Sequence, residues 1–265
     1  MLSLEELKPF YPEYLQDFER FILREYLQYK ILEIVFESPS RSKLAFLGGT
    51  CLRAIYNNSR FSEDLDFDNF NLSMTDFEVI AEEVKTGLER LGYEVEMRNV
   101  LKGAFHCYVR FPELLYKEGL TQHREEKILI RMDTESHNFH YHSDLKVLNK
   151  FDVFTQINTT PKDILLAQKF YAVINRKRNK GRDFFDIVFL LGMGEIPNYE
   201  YLAMKLGIDS PDKLRKQVLE KCEKLNMEEM AKDVSPFLFN KKDEKKILLF
   251  PEYLKQAKLH LNQTL

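Results

Sequence analysis

The chain has 265 residues, 44% of them hydrophobic and 31% charged, with 10 Gly and 9 Pro; this excludes a fibre, a disulfide miniprotein and a disordered tail, and at about 150 residues per domain it predicts two moderate domains or one enlarged one. Thirty-nine Lys and Arg against 42 Asp and Glu leave a formal charge of −3, so no global basic field announces a nucleic acid, and such a partner would need a local patch. Cys51, Cys107 and Cys222 form no CxxC pair, which argues against a zinc knuckle or a disulfide framework; with an acidic N-terminus and no run near the ~18 apolar residues of a span, the cytoplasm is expected and a membrane is not.

In chain order, Leu15 to Phe36 keeps apolar residues at helical spacing until Ser38-Pro39-Ser40 stops it. Residues 43–47 (KLAFL) read as a short buried strand, Gly48-Gly49-Thr50 as a turn into a helix over Cys51 to Tyr56, and Asp64 to Asp68 as a second strand. Thr75 with Glu78 three residues later predicts a capping box for a helix whose apolar face includes Phe77, Ile80, Val84 and Leu88, with Gly92 suited to its C′ position. Period-2 alternation at Tyr93-Val95-Met97 and Phe105-Cys107-Val109-Phe111 predicts a hairpin turning at Lys102-Gly103, and Lys127 to Asp133 one more strand, about five in all. The texture changes near residue 155. Thr160 as N-cap, Pro161 at N1 and Asp163 at N3 open a helix to about Arg178, followed by helices over Arg182–Leu191, Asn198–Leu206 and Ser210–Leu225. The fold class is therefore α+β: a mixed β-sheet domain with flanking helices over residues 1–155, then a helical bundle over 156–265.

The chemistry concentrates in residues 47–67, LGGTCLRAIYNNSRFSEDLDF. Alternate strand residues share a face, so Asp64 and Asp66 present two carboxylates to one side. Unpartnered, they would raise each other's pKa; with a divalent cation between them and phosphate oxygens completing its shell, the pair makes physical sense. An isolated Asp-x-Asp is more often a solvated strand end, and Gly-Gly more often only a tight turn. Here the two occur together, Asp64 standing 15 residues after Gly49. Glycines let a phosphate approach the backbone, and a helix starting at Thr50 aims N–H groups at the same place.

Gly48-Gly49-Thr50, a short helix and Arg60-Phe61-Ser62-Glu63-Asp64-Leu65-Asp66-Phe67 resemble motif I of the AbiEii-type nucleotidyltransferases, toxins of bacterial toxin–antitoxin systems within the DNA polymerase β-like superfamily. Lys169 followed by Arg182-Asp183-Phe184-Phe185-Asp186 resembles the family's lysine helix and Arg-Asp-x-x-Asp helix start. The resemblance implies a nucleotidyltransferase-like fold and transfer of a nucleoside monophosphate from an NTP to a hydroxyl, with release of pyrophosphate. It implies that Asp64 and Asp66, with a third carboxylate at Asp133 (Glu135 as the fallback), hold Mg²⁺ or Mn²⁺, and that Asp133 also takes the acceptor's proton. Gly48, Gly49, Thr50 and Arg60 would meet the nucleotide, and Lys169 and Arg182 its β- and γ-phosphates. A tRNA 3′ end or another RNA is the implied acceptor, and an antitoxin the implied partner.

Beside this, Lys169 shares a helix face with Leu166 and Val173, where a lysine either snorkels over the core edge or meets an anion. Arg176, Lys177, Arg178 and Lys180 form a basic stretch suited to an RNA backbone, or else a solvated helix end. Asp183 and Asp186 stand where a helix start favours acids, and Asp186 is expected to orient a basic residue rather than to ligate metal. His137-x-x-His140-x-His142 has no metal-site context and reads as a loop. Two competing readings stay open: a glycosyltransferase using Asp-x-Asp on a nucleotide-sugar, against which Gly-Gly-Thr speaks, and a silent RNA- or partner-binding protein on the same scaffold, against which three candidate carboxylates speak.

Overall fold

Leu44–Leu47 (β1) is buried at every residue, the pattern of a strand covered on both faces. It is central in a computed structural model describing residues 1–260, in which β1 pairs antiparallel with Leu65–Asn69 (β2) and parallel with Val153–Thr159 (β7). Among the described residues the sheet has seven strands in the order β3-β4-β5-β2-β1-β7-β6, the others being Glu96–Lys102 (β3), Ala104–Phe111 (β4), Ile128–Glu135 (β5) and Asp144–Lys150 (β6). Five strands were expected; the hairpin β6–β7 is the addition. Its exposed face carries Leu145, Val147 and Phe154, so the apolar alternation that marks a half-buried strand is absent.

The helices over the described residues are Leu4–Leu7 (α1), Glu19–Glu37 (α2), Gly48–Tyr56 (α3), Met74–Arg90 (α4), Leu114–Lys117 (α5), Lys162–Asn175 (α6), Gly181–Gly192 (α7), Tyr199–Leu206 (α8), Pro211–Cys222 (α9), Met227–Val234 (α10), Lys245–Leu248 (α11) and Phe250–Gln256 (α12). The capping box of α4 is built by Ser73 and Asp76, two residues before the expected pair. Asp76 also receives Lys43 at 2.6 Å and the Ser40 hydroxyl at 3.2 Å, long-range partners that decide between two sequence-equivalent caps. Helix α3 begins at Gly48 rather than near Thr50. Helix α6 starts at Lys162 and ends at Asn175, three residues short of the expected end.

The chain divides into two compact units, Met1–Asn57 with Phe61–Thr160, and Asn58–Arg60 with Pro161 onward. The expected boundary after residue 155 lies within β7, and the chain passes to the second unit at Thr160–Pro161. In the first unit α2 packs on β7 and α4, and α4 on β3 and β4; the core between them includes Ile31, Val35, Phe46, Phe67, Phe77, Val84 and Ile130. In the second unit α6 packs on α7, α8 and α9, and α7 also on α10 and α11, enclosing Leu166, Phe170, Phe184, Ile187, Tyr201, Val218 and Phe250.

Candidate active site

Parallel pairing of β2 with β5 sets Asp66 beside Asp133 in register, and neighbouring strands lie about 4.8 Å apart. The pleat places Asp64 and Asp66 on one face, and the register adds Asp133 and Arg131 to it. The three candidate carboxylates therefore share one face of one sheet. Between them lies a guanidinium: Arg131 Nη2 donates to Asp64 Oδ2 at 3.0 Å, and Nε lies 2.7 Å from Asp133 Oδ2 as an ion pair. Burial disfavours the charge on Arg131, but Asp64, Asp133 and Asp66 more than offset this and push its pKa up. Asp133 is also met on its other oxygen by His106 Nδ1 at 2.7 Å, because β4 pairs His106 with Asp133 across the sheet. A cavity of about 130 Å³ opens here, lined by Asp66, His106, Asp133 and His137 among others.

The glycine turn sits against the same carboxylates. Gly48 has φ +80°, and a Cβ built on it would lie 3.1 Å from the Cβ and Cγ of Asp66, and closer still to Oδ2. Here glycine is required both by the left-handed backbone and by the close approach. Leu47, the N-cap of α3, supplies no side-chain cap, so the N–H groups of Gly48, Gly49 and Thr50 lack the acceptor that a capping residue gives. Thr50 is buried, and its hydroxyl donates to the Asp64 carbonyl, tying the turn to the strand that carries the acids.

The second unit has a charge network of its own. Asp186 is fully buried and accepts from Arg60 Nε and Nη2 at 2.7 Å each and from Asn58 Nδ2 at 2.8 Å, while Lys169 Nζ lies 2.8 Å from its Oδ2. Lys169 also donates to Asp183 Oδ1 at 3.2 Å, and Arg176 Nη1 to Asp183 Oδ2 at 2.8 Å. Burial pushes the Asp186 carboxyl up, yet Arg60 and Lys169 more than reverse this and hold it at about 2. Arg60, expected at the nucleotide, is a correction: it is 1% exposed and bidentate to Asp186, so its guanidinium is structural. Lys169 keeps one of its three N–H donors beyond the two acids. Arg182 is half-buried in the first turn of α7. Of the basic stretch, Arg176 pairs with Asp183 and Lys180 with Asp233 at 3.4 Å, whereas Lys177 and Arg178 are simply exposed.

The family model described as "Nucleotidyl transferase AbiEii toxin, Type IV TA system" matches residues 30–249. The chain belongs to this family. No curated protein matches it by sequence. Among solved structures, MenT4, a nucleotidyltransferase toxin of Mycobacterium tuberculosis H37Rv, superposes with TM-score 0.59 over 97% of this chain and 91% of its own at 14% identity. JHP933 from Helicobacter pylori does so with TM-score 0.56 over 90% and 91% at 17% identity. At such identities the structures establish the fold. The AbiEii-family chain is thus a nucleotidyltransferase of mixed α/β fold.

Nucleotidyltransferases of this kind generally use an NTP and a divalent metal. Among the described residues no three His, Cys, Asp or Glu side chains are gathered at ligating distance. The donor set nonetheless fits a hard cation: three carboxylates share one face, two of them, Asp64 and Asp133, pair with one guanidinium, and Asp66 also favours its charge. Arg131 and His106 are not among the residues the sequence points to; Arg60 and Asp186 are, but their pairing with each other is not. Arg131 carried a signal, because a residue two before a strand carboxylate shares its face; His106 and the Arg60–Asp186 pairing depend on register and on a contact 126 residues apart.

Proposed function

We propose that this AbiEii-family enzyme transfers a nucleoside monophosphate from an NTP to the 3′ end of tRNA or another RNA, as the toxin of a toxin–antitoxin pair. The observation that carries this reading is the gathering of Asp64, Asp66 and Asp133 on one sheet face, with Asp64 and Asp133 pairing one guanidinium, beside a glycine-led helix start that has no side-chain cap. A divalent ion held by those carboxylates would lower the pKa of the attacking hydroxyl and steady the leaving pyrophosphate. The backbone N–H groups of Gly48, Gly49 and Thr50 bind phosphate oxygens, and Asp133 takes the hydroxyl proton. Lys169, held by Asp183 and Asp186, and Arg182 are the residues we assign to the β- and γ-phosphates.

An RNA acceptor is favoured by the distribution of charge: residues 161–265 hold 20 Lys and Arg against 15 Asp and Glu, and residues 1–160 hold 19 against 27. The basic excess that the whole-chain charge conceals lies in the helical unit, where exposed Lys177 and Arg178 meet a phosphate backbone. An antitoxin is the second partner. No helix among the described residues is long and apolar enough to cross a membrane, and cytoplasmic action is the setting proposed. The test is incubation of purified protein with each α-labelled NTP, Mg²⁺ and total tRNA. Wild type labels RNA, Asp66→Ala falls by at least about a thousandfold, and labelling by Asp66→Ala at the wild-type rate refutes the proposal.

A further inference from the structure

We propose that the larger cavity beyond the carboxylates receives the terminal base of the acceptor RNA, stacked on an aromatic shelf made by Phe70, Phe139 and Tyr141. The cavity holds about 470 Å³, within the ~300–1,000 Å³ of small-molecule sites. This rests on the catalytic reading above and assigns its acceptor side. In the β1–β2 pair Leu47 is opposite Asp66 and Leu44 opposite Asn69, so the Gly48 turn lies past Asp66 on the Asp64 side. The larger cavity, whose walls include Ser42, Asp68, Phe70 and Asn71, lies on the other side. Asp68 shares the face of Asp66 at a remove of about 7 Å along the strand, comparable to the width of a ribose.

Nucleotidyl transfer is an in-line displacement. The acceptor oxygen bonds to the α-phosphorus from the side opposite the breaking bond to the β-phosphate, the hydroxyl proton leaves to Asp133 as proposed above, and pyrophosphate departs with the electron pair. With the leaving phosphates on the Gly48 side, the hydroxyl must come from the Asp68 side, and the nucleoside bearing it must be accommodated there.

The residues found there suit a base. Tyr141 is fixed by donating to Asp68 Oδ2 at 3.0 Å and by a 2.8 Å hydrogen bond with the Thr160 hydroxyl. Buried Asp68 holds the same loop through the His137 N–H at 3.0 Å. Against this anchored ring Phe70 packs edge-on at 5.1 Å, and Phe139 lies near-parallel at 6.4 Å. Amides from Asn71 and Asn138 stand in the lining and can both donate and accept at a base edge. Aromatic faces with flexible amides are the means by which proteins hold an unpaired RNA base. A protein hydroxyl as acceptor would leave this shelf without a purpose.

The experiment uses the full chain, Mg²⁺, a labelled NTP and two synthetic RNA hairpins with a single-stranded 3′ end. One ends in a normal nucleotide; the other has an abasic terminal ribose that retains its hydroxyls. For wild type, loss of the terminal base raises KM for RNA by roughly ten- to a hundredfold, with a smaller effect on kcat. Phe139→Ala is expected to handle both RNAs alike, while its Kd for each NTP, from equilibrium dialysis without RNA, stays at the wild-type value. Phe139→Trp guards against a folding defect: the chain has no other Trp, and the base-bearing RNA should quench its fluorescence more than the abasic one does. The proposal is overturned if Phe139→Ala discriminates between the RNAs as wild type does, if it loses NTP affinity instead, or if neither RNA is labelled while NTP is consumed in an Asp66-dependent way. Wild-type labelling by Asp66→Ala would instead sink the catalytic reading itself.

Discussion

Replacing Arg60 by methionine keeps most of the volume and leaves Asp186 buried without its bidentate partner. Lys169 and Asn58 still reach the carboxylate, but two charge-assisted bonds at 2.7 Å are gone. Removing one member of a fully buried pair costs about 3–5 kcal/mol, because the other charge is then buried uncompensated. The pKa of Asp186 gives a second estimate. Its folded value of about 2 is below the ordinary 3.8, a depression of roughly two units and so about 2–3 kcal/mol at 1.36 kcal/mol per unit. A depressed carboxyl contributes this stability in full above its unfolded pKa and loses it as pH falls from about 4 towards 2. In Arg60→Met part of that depression disappears, so acid unfolding should begin at higher pH. The assay is urea unfolding of wild type, Arg60→Met, Asp186→Leu and the double variant at pH 7, repeated down to pH 3. The double variant should cost less than the sum of the singles by about 2–3 kcal/mol. Additive effects, or a cost below about 1 kcal/mol for Arg60→Met, would refute the reasoning. So would an Arg60→Met protein of wild-type stability with weakened NTP binding, which would return Arg60 to the nucleotide.

Gly48→Ala should lose activity by tenfold or more, since φ +80° strains alanine by about 1–2 kcal/mol and its Cβ displaces Asp66; Tm and NTP turnover read the two effects separately. Glu25→Gln should destabilise by about 2–4 kcal/mol, because buried Glu25 loses the charge that Arg53 at 2.9 Å and Lys150 at 2.6 Å, both half-buried, are matched to, and a urea midpoint unchanged from wild type would contradict it. Arg131→Gln should bind Mn²⁺ without nucleotide about tenfold tighter, a gain of about 1.4 kcal/mol, since the guanidinium no longer competes for Asp64 and Asp133; calorimetry checks this, and equal affinities would mean the arginine does not occupy the ion's place. Gly181→Ala should lower stability by about 1–3 kcal/mol, as its Cβ meets the backbone of Met230 across the α7–α10 contact, measured as a fall in urea midpoint.

The β1–Gly48–α3–β2 segment was readable because each of its signals is local: a buried run, a glycine pair, a short amphipathic helix and alternating acids. The sequence pattern does not distinguish Ser73-x-x-Asp76 from Thr75-x-x-Glu78 as the capping box of α4, and the choice is made by Lys43 from another element. Strands β6 and β7 escaped because their open face carries apolar side chains, so polarity does not alternate with burial.

The cations show most plainly where sequence reading stops. Arg60, Lys169 and Arg131 all stand in or near acidic motifs, and composition cannot distinguish a cation awaiting a phosphate from one already matched to a carboxylate. Arg131 is the legible case, since strand pleating alone assigns it to the face of Asp133. Arg60 has no such local sign: its partner is 126 residues away, and only burial reveals that its charge is matched inside the protein. The same test separates Lys169 from Lys177 in the second unit. Lys169, 12% exposed between two acids, has a single donor left to offer, whereas exposed Lys177 keeps its full charge for solvent or RNA. Charge reversal at Lys177 should therefore weaken RNA binding and its salt dependence while sparing stability, and reversal at Lys169 should first of all unfold the helical unit.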